Sequence, residues 1–186
     1  MLKLYGGLRS RASIVQWYLE ELGIPYDFVL LDMQAGEHRK SDFLAINPMG
    51  KVPAIVDGDF QLWESGAILL YLAEKYGGMP VSLPERSVIT QWVLFANATL
   101  GVGIFVESSR DREMPKLLSP LNAILGSQPF LLGDEFSVAD VAVGSILAYI
   151  PMMLPVDLSD YPAVVDYIQR MGDRPAFQKT IGKRSA

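Results

Sequence analysis

A chain of 186 residues, half of them hydrophobic, carries enough apolar material for one large core or two small ones. Its 16 Lys and Arg are evenly spread against 21 acids, for a net charge of −5, so electrostatics lends no support to nucleic-acid binding. With no cysteine, disulfides, thiolate metal sites and cysteine nucleophiles are excluded, and no metal is expected.

The opening Met1-Leu2-Lys3-Leu4-Tyr5 lacks the apolar core of a signal peptide, which points to a cytoplasmic protein. Residues 2–5 alternate and stop at Gly6-Gly7, as a strand does. Residues 10–22 turn helical, with Val15, Tyr18, Leu19 and Leu22 on one face and a stop at Gly23-Ile24-Pro25. An apolar run of strand length follows over 26–31, then a polar stretch with helical potential over 37–45 and a turn at Asn47-Pro48. Residues 52–56 and 60–63 form a hairpin across Asp57-Gly58-Asp59. A helix over 65–76 ends at Gly77-Gly78. The order is β-α-β, then α, then β-β-α.

Two Gly and two Pro make 77–84 the linker candidate, and everything beyond reads as helical. A long helix is expected over 87–110, loosened at Gly101 and Gly103, and a second over 114–125. Ser137-Val138-Ala139-Asp140 is a capping box at the mouth of an uncharged run over 141–156. That run is too short and too interrupted by Pro151 and Pro155 for a membrane span, so no membrane partner is expected. Pro162 and Pro175 each sit in the first turn of a later helix.

Two segments carry chemistry. In Asn47-Pro48-Met49-Gly50-Lys51-Val52-Pro53-Ala54, a proline opening a strand leaves the backbone of Val52 for an edge-binding ligand. In Glu64-Ser65, a hydroxyl and free N–H groups at a helix start suit an anion, or serve merely as an N-cap. In this order the two resemble the ligand-binding half of the cytosolic glutathione transferases, and the likeness extends to the capping box at 136–140. The resemblance implies a thioredoxin-like domain over 1–76, the linker over 77–84, and an all-helical bundle over 85–186: an α/β plus all-α fold. It looks most like the bacterial serine-type, theta- or phi-like members.

The resemblance further implies glutathione as co-substrate, conjugated as its thiolate to small apolar electrophiles in detoxification. Where thioredoxin-like oxidoreductases carry two cysteines, this chain has Ser10-Arg11-Ala12-Ser13, so thiol exchange through protein thiols is ruled out. A hydroxyl at a helix N-terminus can instead donate to a bound thiolate. Ser10 takes that part by its spacing after the first strand, with Ser13 and Tyr5 as rivals. Val52 and Pro53 would pair with the cysteinyl unit, and Glu64 and Ser65 would hold the γ-glutamyl end. His38, the single histidine, and Lys51 would bind the glycyl carboxylate, His38 being equally readable as a solvated side chain. Arg9, Arg11, Asn97, Phe105 and Arg110 are the candidates for a second-substrate pocket expected between the domains. A homodimer is implied, the first domain of one chain against the helical domain of the other. The alternatives are another glutathione-dependent enzyme on the same scaffold (peroxidase, dehalogenase or disulfide reductase) and a non-enzymatic interaction module.

Overall fold

Strand β1 (Leu2–Gly6) buries Leu2 and Leu4 on one face of a four-stranded sheet, while Tyr5 on the other face meets the ring of Phe43 with centroids 5.9 Å apart. The strands run in the order β2-β1-β3-β4, with β2 (Tyr26–Leu30) parallel to β1, and β3 (Ala54–Asp57) and β4 (Phe60–Trp63) antiparallel. Helices α1 (Ala12–Leu22) and α3 (Ser65–Tyr76) pack against each other, and the short α2 (Ser41–Leu44) supplies Phe43. This is a thioredoxin-like unit, Met1–Met79; a second, helical unit runs from Pro80 onward. The structure, a computed structural model, describes residues 1–185.

Local chemistry explains most element ends. Gly58, at φ 63°, makes the hairpin turn at a dihedral that side chains disfavour. Several expectations differ from the structure. The first hairpin strand, expected over 52–56, runs from Ala54 to Asp57 and leaves Val52 and Pro53 ahead of it. The helix expected over 37–45 is broken into a 3₁₀ turn (Glu37–Arg39) and α2, because Lys40 is extended at φ −80°, ψ 156°. The helix expected over 87–110 starts earlier, at Leu83, and ends earlier, at Phe105.

In the helical unit, α4 (Leu83–Leu94) passes through a π-helical segment (Phe95–Leu100) into α5 (Gly101–Phe105). The buried stripe Ile89, Val93, Ala96, Leu100 and Ile104 follows the helical period and forms part of this unit's core. By length and composition Leu83–Phe105 could cross a membrane, and 39% of its most apolar window is buried within the protein. Gly103 is not a loosening. A Cβ there would collide with Leu117 of α6 (Glu107–Ser127), so the glycine permits close approach of two helices. Helix α7 (Val138–Met153) buries every residue from Val138 to Ile150, as a helix apolar all round must, with Asp140 its one acidic residue. Helices α8 (Pro162–Gly172) and α9 (Pro175–Lys179) complete the unit. The start of α8 is capped from outside: Asn122 Oδ1 accepts from the N–H groups of Ala163 at 2.9 Å and Val164 at 3.3 Å.

Candidate active site

The strand register collects the first unit's candidates. Tyr5 pairs with Ala54, and Ala54 with Trp63, so the end of β1, the start of β3 and the end of β4 share one end of the sheet. The loops that leave there carry Ser10, Lys51-Val52-Pro53 and Glu64-Ser65. Neighbouring strands lie about 4.8 Å apart, so these three loops span roughly 10 Å. A fully extended tripeptide covers about the same length.

Ser10 is half-buried at the mouth of α1. Its hydroxyl oxygen accepts from the Gly7 N–H at 3.1 Å and the Ala12 N–H at 3.3 Å, while the hydroxyl donates to the Gly7 carbonyl at 3.0 Å. Two donors on one oxygen polarise its O–H bond, and the helix start adds positive potential. Ser13, at 1% exposure, donates inward to the Ser10 carbonyl at 3.1 Å. Tyr5 has its ring against Phe43. Of the three hydroxyls, burial favours Ser10 over Ser13, and its place at the helix mouth favours it over Tyr5. Arg9 and Arg11 on either side are exposed.

The Val52–Pro53 bond is cis, Pro53 is buried, and Lys51 is exposed beside them. His38 lies in the 3₁₀ turn, half-buried, with Nδ1 buried and without a hydrogen-bond partner among the described residues. Its carbonyl oxygen lies 3.0 Å from where a Cβ on Gly50 would stand, so the histidine's backbone packs on the turn that presents Lys51.

Glu64 is exposed and holds φ 72°, ψ 119°, the one non-glycine residue with positive φ among those described. Such a backbone costs on the order of 1–3 kcal/mol and survives where the surroundings dictate it. Ser65, at 3% exposure, opens α3 immediately after. In the helical unit, Asn97 Nδ2 donates to the Val93 carbonyl at 2.9 Å and Arg110 Nε to the Ile104 carbonyl at 2.7 Å. Asn97 thus braces its own helix, whereas Arg110 reaches back from the following helix to the end of α5, whose last residue is Phe105.

In the sequence Asn47 marks only a turn. It is 1% exposed, with its side chain bonded across to Lys51 and Met49. Its distance of four residues from Lys51 was the available signal.

Residues 1–74 match the family model for the glutathione S-transferase N-terminal domain, and residues 106–175 that for the C-terminal domain. Glutathione S-transferase 3 of Zea mays is 32% identical over 206 residues, covering 97% of this chain and 93% of the maize protein. Glutathione S-transferase GstB of Escherichia coli (strain K12) is 31% identical, with 97% and 98% covered. Among solved structures, the glutathione transferase URE2P6 from Phanerochaete chrysosporium, in complex with oxidized glutathione, superposes with a TM-score of 0.86. It is 28% identical, with 99% of this chain and 96% of that one covered. The theta class enzyme of Xanthomonas axonopodis pv. citri, with glutathione bound, gives a TM-score of 0.83 at 27% identity, with 97% and 96% covered.

Proposed function

Because the chain belongs to the glutathione S-transferase family and is an enzyme with glutathione as co-substrate, we propose that it binds the tripeptide along the shared end of its sheet. There Ser10 activates the thiol. The observation that carries this reading is the register Tyr5↔Ala54↔Trp63, which sets the three candidate loops side by side. The γ-glutamyl end falls to Glu64 and Ser65, the cysteinyl backbone to Val52 and Pro53, and the glycyl carboxylate to Lys51 and His38. No protein cysteine takes part. The Ser10 hydroxyl turns from the Gly7 carbonyl to the sulfur, because an ionised acceptor makes the stronger hydrogen bond.

The activated thiolate then attacks a small apolar electrophile, a detoxifying conjugation of the serine-type, theta- or phi-like kind. Attack forms the carbon–sulfur bond and either expels a leaving group or, in an addition, leaves a carbanion to take up a proton. Ultraviolet titration of the protein with glutathione from pH 5 to 9 tests the thiolate step. An apparent thiol pKa well below the ordinary value of about 8.5 supports the reading, and binding without a shift overturns it. A disulfide reductase is the second reading. It is supported by the oxidized glutathione in the Phanerochaete chrysosporium complex, and it too needs no protein cysteine.

The outward face of the long apolar helix supports a homodimer: Leu94 is 59% exposed and Val102 50%. Light scattering that returned a monomer at micromolar concentration would exclude it. A cytoplasmic location belongs to this reading, and fractionation of the cells that make the protein would test it.

Glu64 offers a sharper check on the γ-glutamyl subsite. Glu64→Gly relieves the positive-φ strain and is expected to raise folding stability by about 1 kcal/mol, net of glycine's entropy. It should nevertheless weaken glutathione binding. Glu64→Ala keeps the strain and should weaken binding without the gain in stability. Unchanged affinity in both variants, measured by calorimetry, would remove Glu64 from the site.

A further inference from the structure

Asn47 uses every polar atom it has within one short stretch of chain. Its N–H donates to the Phe43 carbonyl and its own carbonyl accepts from the Gly50 N–H, both at 2.9 Å. Its side-chain oxygen accepts from the Met49 N–H at 3.0 Å, and its side-chain nitrogen donates to the Lys51 carbonyl at 2.6 Å. The residue is 1% exposed, so this amide is shielded from solvent competition and an unpaired group there would be costly.

The last of these bonds bears on the ligand. The Lys51–Val52 peptide is planar and trans, so its carbonyl and the Val52 N–H point in opposite directions. Anchoring the Lys51 carbonyl to a buried amide therefore sets the direction of the Val52 N–H. It also fixes the Cα from which the exposed Lys51 side chain extends. One buried side chain governs two of the proposed glutathione contacts without touching the ligand.

We propose that Asn47 is a positioning residue for glutathione, clamping the Lys51 carbonyl so that Val52 and Lys51 are pre-aimed at the tripeptide. The inference rests on the reading that residues 51–53 and 64–65 hold glutathione. It assigns Asn47 to binding alone, since Ser10 stands on a different loop.

The test is Asn47→Ser, whose hydroxyl can still accept from the Met49 N–H but is too short to reach the Lys51 carbonyl. Folding is verified by circular dichroism, and glutathione affinity is measured by calorimetry alongside kcat and KM with a model aryl halide. The expected result is a roughly tenfold weaker Kd and higher KM for glutathione, with kcat at saturation within about threefold of wild type. Asn47→Asp provides a second readout. Its carboxylate faces the Lys51 carbonyl oxygen with no proton, and on protonation it regains a donor. Its affinity relative to wild type should therefore recover as pH falls from 8 towards 5, which loss of fold alone would not produce.

A folded Asn47→Ser with wild-type Kd and KM overturns the proposal, as does a kcat that falls in step with affinity. If neither variant folds, Asn47 is a structural residue and the proposal falls as well. Ser65→Ala separates the two levels of inference. Wild type binding glutathione, with Ser65→Ala weakened and Asn47→Ser unchanged, would sink the clamp and spare the site. A wild-type protein that binds no glutathione would sink the site itself.

Discussion

Ser10→Ala is expected to lower kcat at pH 7 by about 25-fold while leaving glutathione affinity within a few-fold. The magnitude follows from the thiol's ionisation. An unassisted thiol with a pKa near 8.5 is roughly 3% thiolate at pH 7, and one lowered by two units is about 75% thiolate. Two units correspond to about 2.7 kcal/mol. One hydrogen bond to a charged acceptor supplies about 1.5–3 kcal/mol of that, and the start of α1 adds several tenths more. The gap should close as pH rises to 9, where the unassisted thiol ionises by itself. A constant deficit across pH would instead indicate a steric or folding defect. The variant also leaves the Gly7 and Ala12 N–H groups without the oxygen that receives them now, which should cost about 1 kcal/mol of stability. Unchanged turnover at pH 7 would remove Ser10 from catalysis and return the question to Ser13 and Tyr5.

Much of this fold can be read from local signals. The alternation of residues 2–5, the Asp57-Gly58-Asp59 turn and the capping box at Ser137 are decided by neighbours in the chain, and each stands in the structure. Features set across the fold are another matter. Nothing near Lys40 or Val106 marks a break, for neither is glycine or proline. Yet Lys40 is extended, and Val106, at φ −82° and ψ 107°, ends α5 with Arg110 reaching back to the Ile104 carbonyl. Conversely, α6 begins at Glu107 and carries Pro115 in its interior, whereas the helix expected over 114–125 places that proline in its first turn. Packing overrides both preferences. The same division runs through the site: its residue types were legible because their order resembles a family. The clamp by Asn47 and the positive φ of Glu64 depend on atoms facing each other, which one-dimensional patterns do not record.

Asp140 combines both kinds of information, and its replacement is expected to have the largest effect on stability. The capping box, legible in the sequence, uses one carboxylate oxygen: Oδ2 accepts from the Ser137 N–H at 2.9 Å and the Ser137 hydroxyl at 3.0 Å. The other was not legible. Oδ1 accepts from the Leu131 N–H and from the Tyr167 hydroxyl, 27 residues away, both at 2.9 Å. All four partners are donors, and the residue is fully buried. In Asp140→Asn one oxygen becomes an NH₂ group, which faces one backbone N–H that cannot reverse and one hydroxyl that can turn to accept. Losing one buried hydrogen bond, with two donors left opposed, costs about 1–3 kcal/mol and predicts destabilisation of about 2 kcal/mol, a large part of an ordinary folding free energy. Burial holds this carboxyl above the usual carboxylate range, against the pull of its four donors. A raised folded-state pKa means that protonation favours the fold, and that this stability is lost as pH rises through it. The amide has no such term, so the gap between wild type and variant should widen from pH 7 towards pH 4. Urea unfolding at both pH values tests this, with Tyr167→Phe, which removes one donor only, as the reference. A loss below about 1 kcal/mol at pH 7 would show that the four donors do not hold the carboxylate as described, and a gap that narrows in acid would show that they outweigh the cost of burying it.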